Sequence, residues 1–506
     1  MKARWSRYVG GDSGRGVALA LVLLVLAPPA QGQPRPAEER PRAAEARARV
    51  AEARARAAEG RARVVEERSQ IVEGRAQPIE IPTRALESRT RVDRARPPRL
   101  VRPVPPVRFV DRPEGLHLRS GPVAKYLYIW AGHVDHHVAD FLAVIDFDAE
   151  SPGYGRVVNT VQLPGPGATF NEPHHMHLSA DGNILGCGGL LSVLSGQPGI
   201  FFFDTSNPRE PRFLFSTSDK ASSITDDFYP MPQGGFLVSQ MGSADGDSPG
   251  RIVEFDRKLR QVGSWPSSHP TDGFNPHGIA VRPELNLMMT SDFILPDSTL
   301  KVVEGPPILR NTIRVWNLKK REIVKTIAAP DGLGTMDVKL IPGDPRGRAY
   351  TAGMFNGLIY LVDPIGGSAT PVFDTSSQGG MPQILQLNRG GTRLLTGLFQ
   401  SGRIIMLDTT RRFLLRQVAS VDLGEGAGPH NIMLTDDDRR LVVTDYFLDE
   451  DDFPLANPGK VRLKGDHKVH VLKVSPHSLE LDPRFNLDFN TAFSTGPARP
   501  HGIAIR

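Results

Sequence analysis

Residues 171–206, NEPHHMHLSADGNILGCGGLLSVLSGQPGIFFFDTS, hold three short β-type runs in succession. The first, HHMHL, is led by the pair Pro173-His174 and ends in a polar turn around Asp181 and Gly182. The second is ILGCGG (184–189), and the third, GIFFFDTS (199–206), runs out into another acidic turn. Short apolar runs bounded by Gly, Asp and Ser read as strands. What decides the fold is that the whole phrase returns along the chain.

The third run recurs as FLAVIDFD (141–148), GRIVEFDR (250–257), TIRVWNLK (312–319), GLIYLVDP (357–364), GRIIMLDT (402–409) and HKVHVLKV (467–474). These seven copies lie roughly 45–65 residues apart, the spacing of β-propeller blades. A second run precedes each copy: YLYIW, ILGCGG, FLVSQM, LMMTSD, AYTAGM, LLTGLF and LVVTDY. The chain from 123 to 506 is therefore expected to be all-β, a seven-bladed propeller. The first blade has no inner strand before it, and the final run HGIAI (501–505) has no second or third strand after it. The C-terminal strand should thus complete blade 1 and close the ring, which removes the sheet edges.

Aligned on the inner strand, the residues that open it are His174, Asp226, His277, Met336, Gln383, His430 and His501. The four histidines share a Pro-His step, at Pro173, Pro276, Pro429 and Pro500, and His175 doubles the first. Inner strands of all blades start on one face, so these residues should ring one mouth of the channel. The order around the disc places five competent positions together (His430, His501, His174, Asp226, His277) and sets Met336 and Gln383 apart. Loops between the second and third strands emerge on the same face and are long in blades 1, 4 and 7. Asp292 and Asp445 end second strands there and are candidates to orient imidazoles. Imidazole and carboxylate without thiolate disfavour a structural zinc site, and among common divalent ions copper binds such a set most tightly. The expected metal ligands are His174, His175, His277, His430 and His501, with His174, His175 and Asp226 as catalytic groups; another divalent metal would fit the same set.

The rest of the composition bounds the function. The single cysteine, Cys187, excludes an intrachain disulfide and reads as a buried thiol inside a strand. The net charge of +5 divides as +3 over residues 1–33, +8 over 34–112 and −6 over the remainder, so the basic character gives no reason to expect nucleic-acid binding by the propeller. Residues 1–32 read as a secretory signal, with basic residues before the apolar run VALALVLLVLA (17–27) and small residues after it. That run is too short for a stable membrane anchor. An exported protein is expected, periplasmic in a Gram-negative source. From Ala44 a seven-residue phrase (AEARARV, AEARARA, AEGRARV) makes 33–93 a charged tail, helical or disordered, suited to contact a protein or an acidic surface. The proline- and arginine-rich stretch 94–122 is a linker.

Residues 126–506 resemble the selenium-binding protein family, whose members include copper-dependent methanethiol oxidases. The resemblance is carried by IDFDAESPGYGRVVNTVQLP (145–164) before NEPHH, by RVWNLKKREIVKTIAAPDGL (314–333), and by the C-terminal RRLVVTDYF, HKVHVLKV, FNLDFN and GPARPHGIA. It implies a propeller whose paired histidines are His174 and His175. The family's cysteine after that pair falls here near Asp181, and its H-x-x-H in blade 3 is here Asp226 and Tyr229. A histidine-bound metal survives these departures better than thiolate or selenium chemistry. The resemblance implies an oxidase of small thiols that uses copper; the alternative is a non-catalytic propeller that binds metal or a protein partner.

Overall fold

The computed structural model describes residues 124–268, 270, 273–300, 307–424, 426–444 and 465–506. The expected leader, tail and linker, and Asp445, lie outside the described residues. Within them are seven sheets forming a seven-bladed propeller, each with four antiparallel strands, A to D, outward from the centre; the blade 7 sheet adds a short fifth strand, Leu487–Asp488. Blade 2, for example, is Pro173–Leu178, Ile184–Gly189, Ile200–Asp204 and Arg212–Thr217. The only α-helix among the described residues is a single turn, Asp297–Leu300, in the long loop of blade 4.

Closure occurs where the sequence places it. Strand Ala498–Ile505 pairs with Tyr126–His133 from Leu127↔Ile505 to His133↔Ala498 and supplies strand A of blade 1. Lys125 and Tyr126 donate their backbone N–H groups to the carbonyl of Arg506, so the ends of the domain are stitched together. A propeller blade buries both faces against its neighbours, and each interface here has its own apolar layer. Ile129, Phe141, Val471 and Ile503 pack between blades 7 and 1. Trp130, Met176, Cys187 and Phe201 do so between blades 1 and 2. The alternation along each strand that sends side chains to opposite faces is what fills both layers at once.

Strand A has a neighbour on one side only, and its other edge faces the channel. Three local features follow. Proline, which lacks an N–H, is tolerated at the first position of such a strand, as at Pro173, Pro276 and Pro382. Backbone at Glu172, Ile224 and Met381, two residues before the ring positions, adopts φ of 53°, 63° and 58°. The register then slips by one residue, between Pro173/Met176, Thr225/Phe228, Pro276/Ile279, Thr335/Val338 and Pro382/Leu385. In blade 2 this bulge sets His174 and His175 together opposite Gly188, so consecutive side chains can serve one site instead of alternating across the sheet.

The ring positions are also pinned by the neighbouring blade. Ser239 Oγ donates to the His277 carbonyl at 2.6 Å, Ser291 Oγ to that of Met336 at 3.2 Å, and Thr444 Oγ1 to that of His501 at 2.6 Å. After strand B the chain is tied back to the start of strand A by Leu190 N–H to Glu172 O, Phe293 N–H to Asn275 O and Met354 N–H to Gly334 O. The loops that follow strand B therefore sit on the histidine face.

Between blades 1 and 2, Asp140 is fully buried and its Oδ2 accepts from both the backbone and side-chain N–H of Asn171 at 3.0 Å. Burial pushes this carboxyl up to about 6 from 3.8, against the two Asn171 bonds and the charges of His136 and Arg499.

Two outcomes are expected. Ending the chain at Arg499 removes most of strand A of blade 1 and opens two sheet edges. The truncated protein should melt far lower or associate, and an unchanged melt with a monomeric elution profile would refute closure. Because Asp140 is raised in the folded state, its favourable contribution is complete below about pH 4 and is lost as pH rises through about 6, by up to ~3 kcal/mol. Asp140→Asn should therefore melt a few degrees above the wild type at pH 8 and show a flatter profile between pH 4 and 8. Parallel profiles for the two proteins would contradict this.

Candidate metal centre

The inner strands bring His174, His175, Asp226, His277, His430 and His501 into one cluster. None is more than 6% exposed. Ring centroids are 4.2 Å apart for His174–His175 and for His174–His501, 4.7 Å for His430–His501, and 5.5 Å for His175–His277. The expected ring is thus assembled, but it is not an open polar mouth. Above it, Leu190, Ile224, Met241, Phe293 and Met354 belong to one buried apolar cluster, which the ring residue Met336 joins, and the Phe293 ring meets His277 edge-on at 5.2 Å. The loops after strand B are long enough to fold back over the channel, and the residues they place there are apolar.

Hydrogen bonds determine which ring nitrogens remain available. A carboxylate and an amide oxygen only accept, so the imidazole facing each must donate. Asp226 Oδ2 lies 3.2 Å from His174 Nε2 and Oδ1 lies 3.1 Å from His175 Nδ1; His277 Nδ1 stands 3.3 Å from Oδ1, within reach of its charge but without hydrogen-bond geometry. Gln383 Oε1 takes the His430 Nδ1–H at 2.9 Å. His174 therefore turns a bare, buried Nδ1 inward, with no hydrogen-bond partner. His175 and His430 turn their Nε2 atoms toward each other at 3.2 Å. With both Nδ1 atoms already committed as donors, two lone pairs would meet there. A proton or a cation between them relieves that contact.

The electrostatics agree. Burial works against the Asp226 carboxylate, yet His277, His174 and His175 outweigh it and hold the acid well below its ordinary range. Burial, reinforced by charge on His175, pushes His174 down to about 4. Burial and neighbouring imidazoles press His430 and His501 well below the usual value, and burial also lowers His277. His175 alone among the five rises, because Asp226, helped by Asp227 and Asp337, overcomes its burial. One shared proton on His175, donated to His430, is the state this arrangement supports without metal.

Two overlapping donor sets have ligand atoms all within 4.8 Å of one another: His174, His175, His430 and His501, and His174, His175, Asp226 and His277. Neutral imidazoles with fixed tautomers in a desolvated pocket fit a borderline-soft transition metal.

Three sequence expectations need correction. Gln383 does not stand apart from the site, since its amide orients His430. Asp292 does not orient an imidazole; it accepts from Arg314 Nε and Thr312 Oγ1, each at 2.6 Å, inside blade 4. The channel mouth is apolar because loop residues after strand B cover it. Asp445 lies outside the described residues. Cys187 is buried in strand B of blade 2 with Sγ 3.8 Å from Met176 Sδ, and burial pushes its thiol well up, as expected of an unreactive cysteine.

Fold and site together define a seven-bladed propeller with a buried histidine cluster able to hold a metal. Residues 113–355 match the sequence profile of the 56 kDa selenium binding protein family. The chain is 25% identical to a methanethiol oxidase of Hyphomicrobium over 47% of its own length, spanning 55% of that protein. It is 23% identical to the methanethiol oxidase of Pongo abelii over 77% of this chain and 94% of the relative. Among solved structures it resembles a hypothetical selenium-binding protein from Sulfolobus tokodaii, with a TM-score of 0.62 at 18% identity, covering 76% of this chain and 94% of that one. A putative 6-phosphogluconolactonase from Bacteroides uniformis shares the fold at a TM-score of 0.51 and 12% identity, with 76% of this chain and all (100%) of that one covered.

The proton count is directly measurable. In metal-free protein at pH 7, imidazole nitrogen NMR should show His175 protonated on both nitrogens and His174, His430 and His501 neutral. A neutral His175 would remove the electrostatic basis of the site.

Proposed function

We propose that this protein is a copper-dependent oxidoreductase acting on a small, uncharged thiol of the methanethiol type, working outside the cytoplasm after export on residues 1–32. The observation that carries the reading is the opposed pair His175 Nε2 and His430 Nε2 at 3.2 Å, whose other nitrogens are already bound to Asp226 and Gln383. His174, His175, His430 and His501 would hold the metal. Asp226 and Gln383 fix the tautomers from behind, as partners of ligating histidines commonly do. Copper bound there would favour the thiolate form of a coordinated sulfur and supply the one-electron chemistry needed to reach oxygen.

The chain's own groups divide the remaining work. The apolar cluster of Leu190, Met241, Phe293, Met336 and Met354 excludes water and accommodates an alkyl group better than a charged one. His277, kept neutral by burial, is available to take the thiol proton at Nε2, away from Asp226. Its Nδ1 lies 3.3 Å from Asp226 Oδ1, so the resulting imidazolium would face a carboxylate. The likeness to proteins named methanethiol oxidase supports this substrate class.

The test is copper per chain after dialysis against a weak chelator, with oxygen uptake on methanethiol, ethanethiol and cysteine. His174→Ala, His430→Ala and His501→Ala should each lower copper affinity by more than the roughly tenfold that loss of a partner behind a ligand costs. Gln383→Leu should weaken retention less, and His277→Ala should lower turnover more than copper content. Equal copper in wild type and all three ligand variants would reject the site. Copper bound without uptake on any thiol would leave a metal-binding propeller that is not a thiol oxidase.

A further inference from the structure

Below the histidines the channel is charged. Asp227 follows Asp226 on strand A of blade 3, and Asp337 follows Met336 on strand A of blade 5. Asp227 Oδ1 and Oδ2 accept the N–H groups of Phe228 and Ile279, at 2.9 and 3.2 Å. Asp337 accepts those of Val338 and Leu385, at 2.7 and 2.9 Å. Each carboxylate thus ties its own blade to the next. Lys339, two residues further down strand A of blade 5, sets its Nζ 3.2 Å from Asp337 Oδ1.

The position of this ammonium is unusual in two respects. Its side chain is 26% exposed while Asp337 is 1% exposed, so the ammonium lies on the more open side of a buried carboxylate. Lys339 also stands three residues after the ring position Met336, the place that His177 holds after His174 on blade 2, which puts both on the channel side of strand A. Burial works to lower its pKa, but Asp337, Asp227 and Asp226 together raise it, and the last two belong to blade 3. The charge on Lys339 is likewise felt by His177, on strand A of blade 2. These influences from blades 2 and 3 on a group of blade 5 fit a side chain turned toward the channel.

Its charge matters because of what surrounds it. Asp226, Asp227 and Asp337 face a column of largely neutral imidazoles, and Lys339 is the cation that sits among them from below. The upper end is covered by the apolar cluster, through which a hydrated ion passes at high cost. The lower channel, lined by carboxylates, is the favourable direction for a cation.

We propose that Lys339 is an internal cation that plugs the lower channel and sets how fast a metal ion enters and leaves the histidine site. The proposal rests on the reading of that site as a metal centre. An ion approaching from below must displace the ammonium from Asp337, and an ion leaving meets the same obstacle. A plug slows both directions. A purely electrostatic role acts differently: removing the charge would speed uptake and slow release.

The experiment compares full-length wild type with Lys339→Gln, Lys339→Met and Lys339→Arg. Copper(II) uptake and its release to excess EDTA are followed by stopped flow, and each variant is also melted. Lys339→Gln and Lys339→Met should exchange copper about tenfold faster or more in both directions, the signature of a lowered barrier. Lys339→Arg, which keeps the charge and the contact, should exchange near the wild-type rate. Faster uptake with slower release, or unchanged rates, would overturn the plug while leaving the metal centre intact. Rates that rise only in proportion to a fall in melting temperature would overturn it as well. A wild type that binds no copper would overturn both the plug and the metal reading.

Discussion

The inner strand of a propeller blade is a sheet edge, and this site depends on that. One side of its backbone pairs with strand B; the other has no ladder partner and looks into the channel. A central strand could not carry a proline at its start, a left-handed residue before it and a bulge after it without breaking hydrogen bonds on two sides. Strand A here carries all three in blades 2 and 6. The bulge turns two consecutive side chains toward one centre, and repetition around the disc multiplies the effect. Closure by Ala498–Ile505 completes it, because His501 reaches the cluster only if the last strand joins the first blade.

Within that frame a single carboxylate faces three of the five imidazoles. Asp226 occupies the ring position that is histidine in the neighbouring blades, and its two oxygens face His174, His175 and His277. A sixth histidine there would leave the cluster without a carboxylate and the tautomers of His174 and His175 undetermined. Asp226 determines the tautomers of His174 and His175, and Gln383 does the same for His430. Loss of water makes the arrangement decisive, since a buried charge is felt more strongly than an exposed one. The same burial that forces His174, His430 and His501 to remain neutral keeps their lone pairs available to a cation.

Much of this could be read from the sequence. The recurrence of GIFFFDTS-like runs gave blade number and order, and the Pro-His steps identified the residues that meet at the centre. Alternation and spacing report which residues begin a strand, so the ring at His174, Asp226, His277, His430 and His501 was legible. What a strand-start residue contacts depends on side-chain direction and on neighbouring blades, which periodicity does not encode. Gln383 lacks the chemistry of a ligand, so its position in the ring carried no signal until its distance to His430 was known. Asp292 ends strand B on the correct face, but Arg314 one strand further out takes it as a partner. The apolar cover went unread for a related reason: Leu190, Phe293 and Met354 look like ordinary strand ends, and their shared place above the ring is a property of the closed disc.

The two ends of the channel now differ in kind, and this bears on how one cavity could serve both a metal and a small organic molecule. The upper side presents Phe293, Met336 and Met354 to the histidines, a surface that favours apolar groups and resists ions. The lower side presents Asp227, Asp337 and Lys339, which favour ions and resist alkyl groups. A thiol with a short alkyl chain is suited to the first approach and a divalent cation to the second. Opposite polarity at the two ends means that neither visitor need displace the other to arrive.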